Sequence, residues 1–183
     1  MSEDFSIERV QDRLEIQHRV HQFCRAIDRL QLESLHDVFH EDAHHNHGVY
    51  KGDINGFIEF TRERHKAVPY SSHHVGNTLI EFADRDNAFV ETYFLIWQSV
   101  TPQSGLFTGS TEGGQAFEVF SSGRYIDHFS RKNGRWAIQD RTVVPGATTK
   151  MTDPAPPLGG DFAQATRDEN DPALRLRELL NIR

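Results

Sequence analysis

Two adjacent histidines, His73 and His74, stand at the head of an alternating, β-branched run from Ser71 to Phe82 that reads as a strand. Successive side chains of a strand point to opposite faces, so only one of the two imidazoles can look into a given cavity. His73 shares its face with Val75 and Asn77, and His74 goes with Gly76 and Thr78. A neutral imidazole is a good proton acceptor near neutral pH, and a carboxylate on its other ring nitrogen would fix the tautomer and stabilise the imidazolium. Asp28 could be that carboxylate. It lies toward the carboxyl end of a helical pattern, where the helix dipole disfavours it unless a partner uses it. Taken by itself, such an aspartate is an ordinary solvated or salt-bridged residue.

Other histidines invite a different chemistry. The stretch His40 to Gly52 holds four of the 11 histidines. If Ala43 to Val49 is a strand, His45 and His47 share one face, and two histidines at i and i+2 can bind a metal. Against this, no cysteine or carboxylate stands at a recognised ligand spacing and no His-Glu-x-x-His pattern occurs, so no metal is expected. No serine or cysteine is placed as a nucleophile beside a base, which argues against covalent catalysis. The only cysteine, Cys24, excludes an internal disulfide and any multi-cysteine zinc site.

The elements that must hold these groups follow from periodicity. Ile7, Val10, Leu14, Val20, Phe23, Ile27 and Leu30 recur mostly at spacings of three and four, predicting one long helix over 6–30. A short helix follows through Leu35, Val38 and Phe39. Asp53 caps a third, with Phe57, Ile58 and Phe60 inward and Arg62, Glu63 and Arg64 outward, ended by Pro69. Strands are expected over 88–100, 116–131 and 136–144, the last two joined by a hairpin at Asn133 and Gly134. On the strand over 88–100, Val90, Thr92, Phe94, Ile96 and Gln98 share one face, and Phe89, Tyr93, Leu95 and Trp97 share the other. Thr101 to Gln115 reads as a long hairpin loop. The run from Pro145 to Gly160 reads as irregular, followed by a short helix with Asp171 as N-cap and Pro172 at its first position. Three helices before an antiparallel sheet make an α+β arrangement, with a domain over 1–145 and a tail over 146–183 that packs on the domain or on a neighbouring subunit.

Composition narrows the function classes. A length of 183 residues with 37% hydrophobic content suits one domain with a substantial core. A formal charge of -7 argues against nucleic-acid binding by phosphate neutralisation. No apolar run approaches the roughly 20 residues that span a bilayer. The amino-terminal MSEDFSIERV is acidic and lacks the apolar core of a signal peptide, so a cytoplasmic protein is expected.

Four segments together, CRAIDRLQLESLHDVF, EDAHHNHGVYKG, SHHVGNTLIEF and the Asn-Gly-Arg-Trp hairpin, carry a family resemblance. In order and spacing, over roughly Ile7 to Val144, the chain resembles the SnoaL-like branch of the nuclear-transport-factor-2-like superfamily, which includes scytalone dehydratase and lindane dehydrochlorinase. The resemblance implies a cone: a strongly curved antiparallel or mixed sheet, closed by the three helices of the amino-terminal half around one pocket. It also implies a catalytic dyad, with the histidine falling on His73 and the aspartate on Asp28. The dehydratase's water-activating tyrosine falls on His47, its second histidine on Gln98, and its Ser/Asn pair on Gly123 and Tyr125. The dyad is kept while the groups that handle substrate and leaving group differ.

The expected activity is therefore a cofactor-independent lyase, most simply a dehydratase, acting on an apolar, aromatic or polycyclic small molecule. Asp28 and His73 are the expected catalytic pair. His45, His47, Asn77, Phe94, Gln98 and Tyr125 are the expected substrate-binding residues, with His47, Tyr125 or a water protonating the leaving group. Formaldehyde loss or isomerisation would use the same base. Two other classes share the fold: a non-catalytic binding module, and the small subunit of a ring-hydroxylating oxygenase. The apolar outer face of the strand over 88–100 and the habits of the relatives together imply a homo-trimer or homo-dimer.

Overall fold

The structure, a computed structural model, describes residues 6–101, 116–151, 160–161, 163 and 165–182. The loop expected over 101–115 falls almost wholly outside them. Helix α1 (Ile7–Arg29) begins at Ser6, whose hydroxyl accepts the Arg9 N–H. Ile16, Val20, Phe23 and Ile27 form its buried stripe. Ile7, Val10 and Leu14, which continue the period, are instead exposed at 82%, 43% and 61%, so only the later turns of the helix anchor it in the core. A short α2 (Leu35–Val38) leads into β1 (Phe39–Asn46), then β2 (Lys51–Gly52) and α3 (Ile54–Arg64), capped by Asp53 through the Gly56 N–H.

Four long strands follow: β3 (Tyr70–Phe82), β4 (Asn87–Val100), β5 (Phe117–Lys132) and β6 (Arg135–Met151). They form one curved, open, six-stranded sheet in the order β2-β1-β6-β5-β4-β3. All neighbouring pairs are antiparallel except β1 with β6, which makes the sheet mixed. The turn between β5 and β6 has positive φ at Asn133 (53°) and Gly134 (78°), the pair a tight hairpin demands. The core fills the concave side, where α1 and α3 lay Phe23, Ile27 and Phe57 over Val90, Phe94, Tyr125 and Phe129.

Two sequence expectations fail for the same reason, a β-bulge. In β3 the pairing shifts between Val75 and Thr78, so Gly76 and Asn77 together oppose one residue of β4. Ser71, His73 and Val75 face inward before the shift and Thr78 and Ile80 after it. Asn77, expected in the pocket, is exposed. In β6 the strand does not stop at Val144 but runs on to Met151. Pro145, which has no N–H for the ladder, sits where the register slips between Ser121 and Gly123 of β5, and Ser122 Oγ accepts the Ala147 N–H beside it at 3.1 Å. The expected boundary at 145 thus falls inside a strand.

The carboxyl-terminal segment grips the end of α1. Arg167 donates to the carbonyls of Asp28 (2.9 Å), Ile27 (2.6 Å) and Val68 (2.5 Å), and to His65 Nδ1 (2.8 Å). It thereby satisfies carbonyls that a helix end leaves open, and ties α1 to the chain entering β3. Asp171, almost fully buried, caps α4 (Pro172–Leu179) through the Ala173 N–H and lies 3.6 Å from Arg29.

Candidate active site

His73 and Asp28 meet where the last turn of α1 crosses the free edge of the sheet at β3. The His73 Nδ1 lies 2.7 Å from Asp28 Oδ1, and the His73 backbone N–H donates to Oδ2 at 2.7 Å. Ser71, two residues back on the same face, donates its hydroxyl to Oδ1 at 2.8 Å, and Gln98 Nε2 reaches Ser71 Oγ at 3.4 Å. Burial alone would push the Asp28 carboxyl up. The hydrogen bonds and charge of His73, with Ser71, reverse this and hold it below the usual carboxylate range. An ionised carboxylate only accepts, so the proton on Nδ1 belongs to the imidazole, and in the neutral ring Nε2 carries the lone pair. The strand alternation also puts His74 outside, exposed and 3.2 Å from Ser72 Oγ.

The dyad opens on a cavity of about 360 Å³ between α1, β3 and the start of α4, lined by His21, Cys24, Arg25, Arg29 and Val75 besides the pair itself. A second cavity of about 520 Å³ lies along the outer face of the sheet and takes in His74, Asn77, Tyr93, Leu95 and Arg124. The dyad belongs to the smaller.

The remaining expected residues divide. Phe94 and Tyr125 stack at 4.5 Å deep in the cone, and the Phe94 ring lies 6.5 Å from His73. Gly123 makes this possible, since a Cβ there would come 2.5 Å from Phe94 Cζ. Tyr125 is buried, and burial raises its phenol well above the usual value. Gln98 reaches the site through Ser71.

His45 is fully buried and tilted against Phe57 at 3.9 Å; His47 stacks on it at 5.6 Å, with Nε2 of the first 3.4 Å from Nδ1 of the second. Burial, with the charge of Arg141, pushes the His45 imidazole down to about 2, and burial with Arg64 pushes His47 down to about 3. Both are neutral rings. Their facing nitrogens contact each other instead of converging on a third point, and no cluster of three or more metal-binding side chains occurs among the described residues.

Three functional-looking arginines escape sequence reasoning. Arg141 of β6 is wholly buried, paired to Asp127 at 2.7 and 2.6 Å and packed against the rings of Phe23 (4.2 Å) and Tyr125 (4.3 Å), with one guanidinium nitrogen unpartnered among the described residues. Burial favours its neutral form, but Asp127 outweighs that and keeps it charged. Arg64, expected outward, buries its Nε without a partner among the described residues, and desolvation lowers it to about 10. Arg167 belongs to the tail grip described above. None had a local signature. Gly76, by contrast, was one: a lone glycine inside a strand pattern marks a bulge.

The chain has counterparts among known proteins. The SnoaL-like domain profile matches residues 8–142. The chain belongs to the SnoaL-like family. Among solved structures, LinA superposes with a TM-score of 0.69 at 19% identity, covering 82% of this chain and 98% of its own. A LinA-type3 hexachlorocyclohexane dehydrochlorinase from Novosphingobium barchaimii LL02 gives 0.70 at 17%, covering 82% and 99%. A scytalone dehydratase-like protein from Novosphingobium aromaticivorans DSM 12444 gives 0.63 at 17%, covering 86% and 97%. These likenesses show the fold, a curved, open, mixed sheet with helices packed on its concave side. No curated protein sequence matches the chain.

Proposed function

We propose that this SnoaL-like protein is a cofactor-independent lyase, most simply a dehydratase, in which His73 removes a proton from a small apolar molecule and Asp28 orients it. The observation that carries the reading is the 2.7 Å contact between His73 Nδ1 and a carboxylate whose other contacts are all donors. A site that only bound a ligand has no use for a carboxylate aimed at the far nitrogen of an imidazole whose near nitrogen is free. The base takes the proton on Nε2, the electron pair left on carbon expels the leaving group, and the imidazolium formed sits against Asp28. General base help of this kind contributes roughly 10²- to 10⁴-fold. Tyr125 is sealed behind Phe94, so proton delivery to the leaving group falls to a water or to His73 itself after the first transfer. Dehydrochlorinase and dehydratase relatives of this fold carry names that fit such eliminations. As part of the same reading, the exposed outer face with Phe89, Tyr93, Leu95 and Trp97 is covered by further copies of the chain.

The test begins with small aromatic and polycyclic alcohols and halides screened for thermal stabilisation, followed by turnover of those that bind. Elimination by the wild type in the presence of a chelator, with loss of nearly all rate in His73→Ala but retained ligand stabilisation, is expected. Binding without turnover by the wild type across the panel would favour a binding module instead.

A further inference from the structure

Asp28 and His73 are two rotatable side chains that hold each other, and such a pair fixes a distance without fixing a place. The His73 backbone N–H locates Oδ2. Oδ1, the oxygen that meets the imidazole, also accepts the Ser71 hydroxyl at 2.8 Å. Ser71 stands two residues before His73 in β3, on the same face, so one carboxylate oxygen bridges the serine and the ring. A single torsion separates the serine oxygen from the backbone, so the strand itself places it. Ser71 is 1% exposed, and its neighbours rather than solvent decide where the hydroxyl proton points. Gln98, directly across the β3–β4 ladder, donates its amide Nε2 to Ser71 Oγ at 3.4 Å. That donation occupies an acceptor site of the hydroxyl and leaves its proton for Asp28. Burial raises the Asp28 carboxyl; the hydrogen bonds and charge of His73 oppose this first, and the Ser71 hydroxyl adds to them.

Among the described residues Ser71 does not line the dyad cavity, so a ligand there does not touch it. We infer that Ser71 is a positioning residue for the His73–Asp28 base: its hydroxyl, oriented by Gln98, pins the carboxylate oxygen that holds the imidazole. This rests on the reading of His73 as the base. It also moves Gln98 from the substrate wall, where the sequence puts it, to a place behind the base. The gain is a fixed Nε2, since misplacing a reacting group by about 1 Å costs up to about 10²-fold in rate.

The test has a substrate-free arm and a turnover arm, both on the full chain. In the first, NMR of labelled histidine follows exchange of the His73 Nδ1 proton with water. Ser71→Ala should speed that exchange about ten-fold or more, the loss typical of one hydrogen bond to a charged group. Ser71→Thr, which keeps the hydroxyl, should stay within about three-fold of the wild type, and Gln98→Leu should follow Ser71→Ala by a smaller factor. In the second arm, on a compound that the wild type eliminates, Ser71→Ala should lower kcat about ten-fold or more with KM nearly unchanged, and Ser71→Thr should keep most of the rate. If Ser71→Ala does not fold, Ser71→Cys, which keeps the volume and donates weakly, takes its place. Unchanged exchange in Ser71→Ala, equal effects of Ser71→Ala and Ser71→Thr, an unmoved Gln98→Leu, or a loss carried by KM would each overturn the inference. A hydroxyl that merely satisfied a buried site would lower the urea midpoint and leave exchange and kcat where they were. The two readings fail separately. A wild type that eliminates nothing sinks the base, while the exchange arm still decides the role of Ser71; a silent Ser71→Ala leaves proton abstraction by His73 untouched.

Discussion

Asp28→Asn is the substitution whose consequence the geometry specifies most closely. The backbone N–H of His73 points at one carboxylate oxygen from 2.7 Å and cannot become an acceptor. The amide oxygen must therefore stay there, which turns the NH₂ toward Ser71 Oγ and His73 Nδ1. The serine hydroxyl can rotate to accept. The imidazole can accept only by moving its proton to Nε2, the nitrogen needed as base. The substitution also removes the charge that stabilises imidazolium. At 2.7 Å and an effective dielectric constant near 20 that attraction is about 6 kcal/mol, equivalent to about 10⁴-fold in rate. Since solvent at the cavity replaces part of it, a loss of about 10³- to 10⁴-fold in kcat is expected. The ¹⁵N shifts of the His73 ring read the tautomer directly, without a substrate: protonated at Nδ1 in the wild type and at Nε2 in Asp28→Asn. An unchanged tautomer, or turnover within ten-fold of wild type, would refute the orienting role.

Other consequences are open to measurement. His45 and His65 are buried and held down to about 2 and about 3, chiefly by desolvation, so the unfolded chain binds protons that the folded one refuses as pH falls below 6.5. Stability should drop by about 1.4 kcal/mol per pH unit for each of them between pH 6 and 4, and the lowered Asp28 adds to the loss below its ordinary 3.8; a urea midpoint flat across that range would contradict the burial. Arg167→Met should cost about 2 kcal/mol or more in urea unfolding, because it strips the donors from the carbonyls of Asp28 and Val68, whereas a surface arginine would cost almost nothing. In sedimentation at micromolar concentration the protein should run as a dimer or trimer and Trp97→Glu should dissociate it; a wild-type monomer would leave the outer face of β4 without its proposed cover.

Much of this was legible in the chain because local rules govern it. The α1 stripe, the Asp53 and Asp171 caps, the Asn133-Gly134 turn and the two faces of β4 are each set by neighbours within a few residues. The pairing of His73 with Asp28 could be anticipated only through the family resemblance, since 45 residues separate them and nothing local aims one at the other. Asn77 went astray because alternation assumes an unbroken register, and one inserted residue at Gly76 reverses every face beyond it. The extension of β6 past Pro145 depends on a bulge in β6 itself, where Gly146 and Ala147 together oppose Ser122 of β5. Arg64, Arg141 and Arg167 were illegible for a related reason: a basic residue in sequence is a surface residue by default, and only the assembled fold brings the rings, carbonyls or carboxylate that bury it.

On the proposed mechanism His73 and Asp28 act as one base. A double-mutant cycle on a compound that the wild type eliminates tests it, with kcat/KM measured for the wild type, His73→Ala, Asp28→Asn and the pair, and His74→Ala as a control. Each single change should remove nearly all activity, the double mutant should be scarcely worse than either, and His74→Ala should be mild. Near wild-type turnover in His73→Ala, or losses that simply multiply in the double mutant, would contradict it.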